Sequence, residues 1–343
     1  MKCLVTGNHG YIGHILADEL VKSGYTVGGY DLDYFPKDVF GRKDTLLSSP
    51  KILQVTKDIR DVTIADLKGY DAIFHLAGLP NDPAGDLNPS VTEDINYLAT
   101  VQLATTAKRA GVKRFIFASS CSVYGVNGDS MINENSDTYP ITPYAVSKLK
   151  SEKALLSMSS SEFAVTCMRN ATCYGVSPRM RFDMVLNNFI GYAVTEGKIK
   201  ILSDGSSWRP LVHVEDISRA YLTVLESDVN SVGSEVFSIG SENFKISDLA
   251  TVVSKSIPSA EVEFAKGGTK DMRSYRVNFS KFHKMTGFLP LWDAKRGARE
   301  LFDACLHYGL NSNNFMSKSF WAGNYFKFLL DSGVIDNNFR FIA

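Results

Sequence analysis

Tyr144 and Lys148 stand four residues apart behind Pro143, and Ser120 closes an apolar run upstream of them. On a helix, residues four apart share a face, so the phenol and the ammonium would lie side by side. Pro143 suits the first position of such a helix. A free tyrosine titrates at about 10, too high for a base at neutral pH. A neighbouring ammonium favours the phenolate and lowers that value. The phenolate would then accept a proton from a hydroxyl as a general base. Ser120, within Ser119-Ser120-Cys121-Ser122-Val123-Tyr124-Gly125, is placed to hold the same oxygen and pass its proton on. Taken alone, Tyr-x-x-x-Lys is common, and an exposed helical pair is the ordinary alternative. For Ser120 that alternative is a serine-rich loop at a strand end.

A second constellation decides between these readings. Thr6-Gly7-Asn8-His9-Gly10-Tyr11-Ile12-Gly13 follows a short apolar run and opens a helical pattern. Gly7 and Gly10 would allow a tight turn with the backbone close to a pyrophosphate, and Gly13 would allow close helix–strand packing. The free N–H groups at a helix start attract that anion. Asp31 ends the next apolar run, about 20 residues past the glycines, where a carboxylate accepts both ribose hydroxyls of NAD and repels the extra phosphate of NADP. A solvated turn aspartate beside Asp33 is the alternative. Asp58 and Ile59 follow the third run and would hold the adenine, although an aspartate there is also an ordinary helix cap. A serine followed by the Tyr–Lys pair, after a dinucleotide turn, is specific as a set. A hydride would leave for nicotinamide while Tyr144 takes the proton.

The elements that must position these residues are legible as alternating strands and helices. Strands are expected at 3–5, 26–30, 52–55, 72–75, 114–118 and 164–168, with helices at 11–23, 91–110 and 143–158 between them. Strands joined by helical crossovers mean an α/β fold with a doubly wound parallel sheet of Rossmann type. Beyond Gly175 the pattern changes. Helices are expected at 183–195, 214–225, 246–257, 292–307 and 317–330, with strands at 199–202 and 262–265. The expected division is a dinucleotide-binding domain of residues 1–175 with about 208–240, and a smaller substrate-binding domain of about 176–207 with 241–343. A crevice between them is the default ligand site of such folds.

Composition sets the outer limits. In 343 residues, Lys+Arg and Asp+Glu both number 37, which gives no electrostatic case for nucleic acid or an anionic membrane. No stretch has the roughly 20 unbroken apolar residues of a membrane span. Met1 to Gly10 reads as a first strand rather than a secretion signal. Five widely spaced cysteines make neither a metal-type pair nor a disulfide framework, which suggests a reducing cytoplasm and no bound metal. Cys3, Cys121 and Cys167 read as buried structural thiols.

With these residues in place, the chain resembles the extended short-chain dehydrogenases of the nucleotide-sugar epimerase/dehydratase family along nearly its whole length. The likeness rests on the glycine turn, Asp58-Ile59, Phe74-His75-Leu76-Ala77-Gly78, Asn96 within Asp94-Ile95-Asn96-Tyr97, Ser120, Tyr144 with Lys148, and Arg209 followed by His213-Val214-Glu215-Asp216. It implies NAD as cofactor, with Leu76, Ala77 and Gly78 against it and Asn96 supporting the active-site loops. It also implies a nucleotide-diphosphate sugar as partner, and a homodimer through two long helices. An exposed-looking stripe of Leu98, Val101, Leu103 and Ala104 suits such a dimer, and packing on the chain's own sheet is the alternative.

On the substrate side the resemblance implies that Arg209 grips the diphosphate and that Asn188 contacts it, while Ser120 and Ser122 face the sugar. A diphosphate suits a fork donor and neutral donors. Thr172 stands where the family carries an asparagine, and Gly268 where it carries a second arginine, so Arg273 or Arg276 would substitute. The segment Ser177-Pro178-Arg179-Met180-Arg181-Phe182-Asp183 resembles a subgroup that includes enzymes acting at C4 of GDP-heptoses, which keeps GDP-sugars in view. A 4,6-dehydratase resembles Thr-Asp-Glu in the catalytic strand, but here Ser120-Cys121-Ser122 supplies no carboxylate. The leading expectation is therefore 4-epimerisation. Net oxidation or reduction at C4 follows, then other eliminations or decarboxylation, and last a dinucleotide-binding sensor that does not turn over.

Overall fold

The computed structural model describes residues 1–36, 40, 52–258, 260–265 and 271–342. Apolar runs without alternation form strands covered on both faces. Arg114–Ser120 and Ala164–Asn170 are of this kind, buried nearly end to end. Seven strands make one sheet, in the order Glu235–Ile239, Ala164–Asn170, Arg114–Ser120, Ala72–His75, Lys2–Thr6, Thr26–Asp31, Ile52–Thr56. All neighbours are parallel. From Lys2–Thr6 the chain builds outward first to one side and then to the other, so the strand order reverses there. A crevice opens above the carboxyl ends of the strands at such a point. This is the doubly wound Rossmann architecture that the sequence predicts.

All six expected strands of this sheet are present, several extended by one or two residues. The extension of Arg114–Ser120 puts Ser120 at the carboxyl tip of its strand. The seventh, Glu235–Ile239, was not anticipated, because its Glu-Val-Phe-Ser-Ile is short and broken by polar residues. The expected helix 91–110 is interrupted. Pro89–Glu93 and Ala99–Ala110 flank a wider turn over Asp94–Leu98. The carbonyl of Asn96 there accepts the hydroxyls of Thr100 and Ser151, both at 2.9 Å. The supposed stripe divides: Leu103 and Ala104 are fully buried in the chain's own core, while Leu98 is 53% exposed.

Above the sheet's carboxyl edge lies a second layer. It holds a three-stranded sheet of Glu242–Lys245, Trp208–His213 and Thr172–Tyr174. Two strand pairs flank it, Lys198–Ile201 with Glu261–Phe264 and Val126–Ile132 with Ser274–Val277. Helices Val185–Glu196, Ile246–Ser256 and Ala294–Tyr308 pack around them. The expected helix 317–330 is a short turn, Lys318–Phe320, and then Ala322–Asp331. Its Phe326 and Leu329 enter the core beneath the first sheet, beside Leu4 and Tyr30. All five cysteines are buried and free. Among the described residues no helix is long and apolar enough to cross a membrane.

Candidate active site

A cleft of about 960 Å³ runs along the crevice between the two layers. Its first half is built by the glycine turn. Gly7 has φ +74°, and a Cβ there would stand 2.7 Å from the backbone nitrogen of Ala77. A Cβ on Gly13 would stand 2.1 Å from the Gly7 carbonyl oxygen. Only glycine permits this packing, and it brings backbone rather than side chains to the cleft. Gly10 begins helix Tyr11–Lys22 with no side chain to cap it, and Tyr11, Ile12 and Gly13 of the first turn line the cleft. A phosphate anion fits such a cradle.

Asp31 lines the same half. Its two carboxylate oxygens accept the backbone N–H groups of His9 and Asp33, each at 3.0 Å. Burial pushes its carboxyl up, against the pull of those two bonds and of His9. His9 in turn contacts the Asp33 carboxylate, which fastens the loop after Thr26–Asp31 to the glycine turn. Asp58 and Ile59 line the cleft, and Asp58 also does what the cap alternative foresaw. It accepts the Arg60 N–H at 2.9 Å and pairs with the Arg60 guanidinium at 2.6 Å. Leu76, Ala77 and Gly78 form the wall beside them. Asn96 does not line the cleft. Its side chain takes the Leu79 N–H at 2.7 Å and donates to the Leu79 carbonyl at 3.2 Å, so it holds that wall from behind.

Helix Pro143–Met158 carries Tyr144 and Lys148 on one face, with Thr142 as its cap. One turn past Lys148, the buried Glu152 accepts the Ser119 hydroxyl and pairs with Arg169 at 2.8 Å. This pins the helix across strands Arg114–Ser120 and Ala164–Asn170. Ser120, Tyr144 and Lys148 consequently meet in the cleft. Burial pushes the Tyr144 phenol up to about 12, and Asp82 adds to the rise. The hydrogen bond with Ser120 and the positive charge of Arg181 oppose it. Burial pulls the Lys148 ammonium down to about 8, against Glu152. Lys148 Nζ donates to the Ala118 carbonyl at 2.8 Å and lies 5.7 Å from the centre of the Tyr144 ring. The sequence assigned the poising of Tyr144 to Lys148; in the structure the groups that favour its phenolate are Ser120 and Arg181. His75, held between Thr6 and Thr100 at 2.8 and 2.7 Å, is pulled down to about 3 by burial and is a neutral structural group.

The other half of the cleft gathers Ser122, Thr172, Asn188, Arg209 and Arg273. Ser122 Oγ is buried without a hydrogen-bond partner, as is Asn170 Oδ1 at the tip of the neighbouring strand. Asn188 donates to the Phe182 carbonyl at 3.0 Å. Arg209 pairs with Asp271, and Arg273 bridges Asp82 and Asp271. Of the two arginines offered as substitutes, Arg273 reaches the cleft, while Arg276 is turned to the Trp208 ring, 4.5 Å away. Gly268 lies outside the described residues.

Residues 3–240 match the NAD dependent epimerase/dehydratase family. The chain belongs to it. It is an enzyme of that family, with NAD as cofactor, and the backbone cradle at Gly7 and Gly13 fits that cofactor. The chain is 28% identical over 330 residues to the UDP-glucose 4-epimerase of Bacillus subtilis, covering 88% of this chain and 94% of that one. It is 31% identical over 233 residues to the UDP-glucuronate 4-epimerase of Thermodesulfobacterium geofontis, covering 65% and 71%. UDP-glucuronic acid decarboxylases are among the further relatives. The structure of UDP-glucuronic acid 4-epimerase from Bacillus cereus, in complex with UDP-glucuronic acid and NAD, superposes with a TM-score of 0.76 at 27% identity, covering 89% and 98%.

Asp82, Asn170, Arg179 and Arg181 are among the residues of this cleft that sequence reasoning did not assign to the site. Asn170 stands two positions before the place of the family asparagine, so the spacing does not single it out. Arg179 and Arg181 were read only as a subgroup signature, although two arginines on alternate residues of an extended segment signal one charged face.

Proposed function

We propose that the protein is an NAD-dependent nucleotide-sugar 4-epimerase, which oxidises the sugar C4 hydroxyl to a ketone and reduces it again from the other face. The observation that carries this is one cleft that gathers Ser120, Tyr144 and Lys148 with the glycine turn and with Arg209 and Arg273. Oxidised NAD, when bound, supplies the hydride acceptor and a positive charge near the phenol. Ser120 holds the C4 oxygen and relays its proton. Tyr144 takes that proton and gives it back on the return step. Ser120 and Arg181 favour the phenolate, and the Lys148 ammonium lies 5.7 Å from the centre of the ring. Arg209 offers its fork to the diphosphate, with Arg273 and Asn188 beside it and Thr172 along the wall.

The catalytic strand ends in Ser120 and is followed by Cys121 and Ser122, so it brings no acid–base pair for elimination. The carboxylates of Asp82, Asp183 and Asp271 in the substrate half are each paired with an arginine. That chemistry favours inversion over dehydration. The reading extends to a homodimer through Ala99–Ala110 and Pro143–Met158, and to a reducing cytoplasm, which five buried free thiols support. The test is NMR of products from a panel of UDP-, GDP-, CDP- and dTDP-sugars. One sugar should appear as its C4 epimer with no build-up of NADH absorbance. Steady NADH accumulation with a keto sugar, or release of carbon dioxide, would overturn the reading.

A further inference from the structure

The segment after Thr172–Tyr174 leaves the second layer and crosses the first turn of helix Tyr11–Lys22. The Tyr11 hydroxyl donates to the Gly175 carbonyl at 2.5 Å, and the Ser177 hydroxyl donates to the Tyr11 carbonyl at 2.7 Å. These two bonds lock residues 175–177 onto the start of the dinucleotide helix. Two residues further on, Arg179 lines the cleft there, with its guanidinium 3.6 Å from the centre of the Phe35 ring.

Arg179 is 7% exposed, and among the described residues no carboxylate lies within ion-pair distance of it. Its Nη1 donates to the Met180 carbonyl at 2.9 Å, while its Nε is buried with no partner. Asp31 and Asp183 act on it only from beyond pairing distance, and Arg181 repels it. Every other arginine singled out in the cleft has a counter-ion: Arg181 has Asp183, and Arg209 and Arg273 have Asp271. A desolvated cation without a counter-ion is costly, and stacking on Phe35 offsets only part of that cost. Such a group is kept where an anion completes it.

We propose that Arg179 supplies the counter-charge to the dinucleotide diphosphate, so that the segment from the second layer clamps the cofactor onto the glycine turn from the opposite side. The diphosphate carries two negative charges, and the helix start alone offers N–H dipoles and no full charge. A guanidinium presented by the Ser177 crossing adds that charge with fork geometry. The same segment ends in Arg181 and Asp183. Asp183 accepts from Asn81 at 2.8 Å and from the Ala322 N–H at 3.2 Å, so one strap joins cofactor half and substrate half. The inference rests on NAD being the cofactor and not on which sugar reaction is run.

The test uses the full chain freed of nucleotide, with Arg179→Met and Arg179→Lys variants. Calorimetry with NAD, ADP, adenosine and UDP separates the contributions. Arg179→Met should weaken NAD and ADP by about thirtyfold or more, the lower bound for losing a desolvated charge contact. Adenosine and UDP should bind as to the wild type, and Arg179→Lys should recover part of the loss. The melting temperature of the nucleotide-free Arg179→Met protein should stay level or rise, because an uncompensated buried charge has gone. Less NAD should also co-purify with it. A fall in melting temperature together with equal losses for all four ligands would make Arg179 a packing residue and overturn the proposal. A loss confined to UDP would assign Arg179 to the substrate and overturn it equally.

Discussion

At the scale of single residues, the site is a contest between burial and neighbours. Tyr144 is driven up to about 12 by burial, so in the nucleotide-free protein it is a phenol at neutral pH. Its use as a base depends on groups that favour the phenolate, and Ser120 and Arg181 are the two the geometry supplies. Tyr144→Phe keeps the ring and removes the proton acceptor. Steady-state turnover should fall by roughly 10²–10⁴-fold, with NAD and sugar-nucleotide affinities by calorimetry unchanged. Ser120→Ala removes a hydrogen bond that favours the charged form, so the folded-state value of Tyr144 rises further. The acidic limb of the kcat/KM profile reports that deprotonation and should move to higher pH, with the largest relative loss of rate at low pH. A limb that stays in place would assign the titration to another group. The reactive residues were legible in the sequence because their spacing is local. Tyr144 and Lys148 lie on one helix face, and Ser120 lies at the end of a run that can only be a strand.

At the scale of elements, the site is held by polar contacts that no local pattern announces. Glu152 and Arg169 are 2% and 7% exposed at the side chain and join helix Pro143–Met158 to strand Ala164–Asn170. Breaking a buried pair leaves an uncompensated charge, so Glu152→Ala should lower unfolding free energy by about 3–5 kcal/mol in denaturant titration. A loss under about 1 kcal/mol would mean that the pair behaves as a solvated one. The ion pair of Arg273 with Asp82 spans 191 positions of sequence, which is why the chain alone named Arg273 only as a substitute for a missing residue. The interruption at Asp94–Leu98 was hidden for a similar reason. It arises where the Asn96 carbonyl serves Thr100 and Ser151, and Ser151 comes from another helix. Strand Glu235–Ile239 was illegible because only its pairing with Ala164–Asn170 makes its short mixed run a strand.

At the scale of the whole molecule, the doubly wound sheet opens a crevice, the second layer roofs it, and helix Ala322–Asp331 returns to lock the roof to the first core. The fold was legible because period and punctuation repeat through the first half of the chain. The roof was less so, since its three small sheets are built from strands distant in sequence. If the exposed Leu98 marks the face shared by two copies, sedimentation at micromolar concentration should show a dimer, and Leu98→Glu should shift it towards monomer. A wild-type monomer at that concentration would contradict the arrangement. The central claim is that one cleft removes hydride from sugar C4 and returns it to the same carbon. It is tested most directly with the sugar nucleotide identified by the panel, carrying deuterium at C4. The account predicts a C4-inverted product that keeps its deuterium at C4 in wild type, with no inversion in Tyr144→Phe on the same timescale. Inversion with deuterium lost to solvent, or equal inversion by Tyr144→Phe, would contradict it.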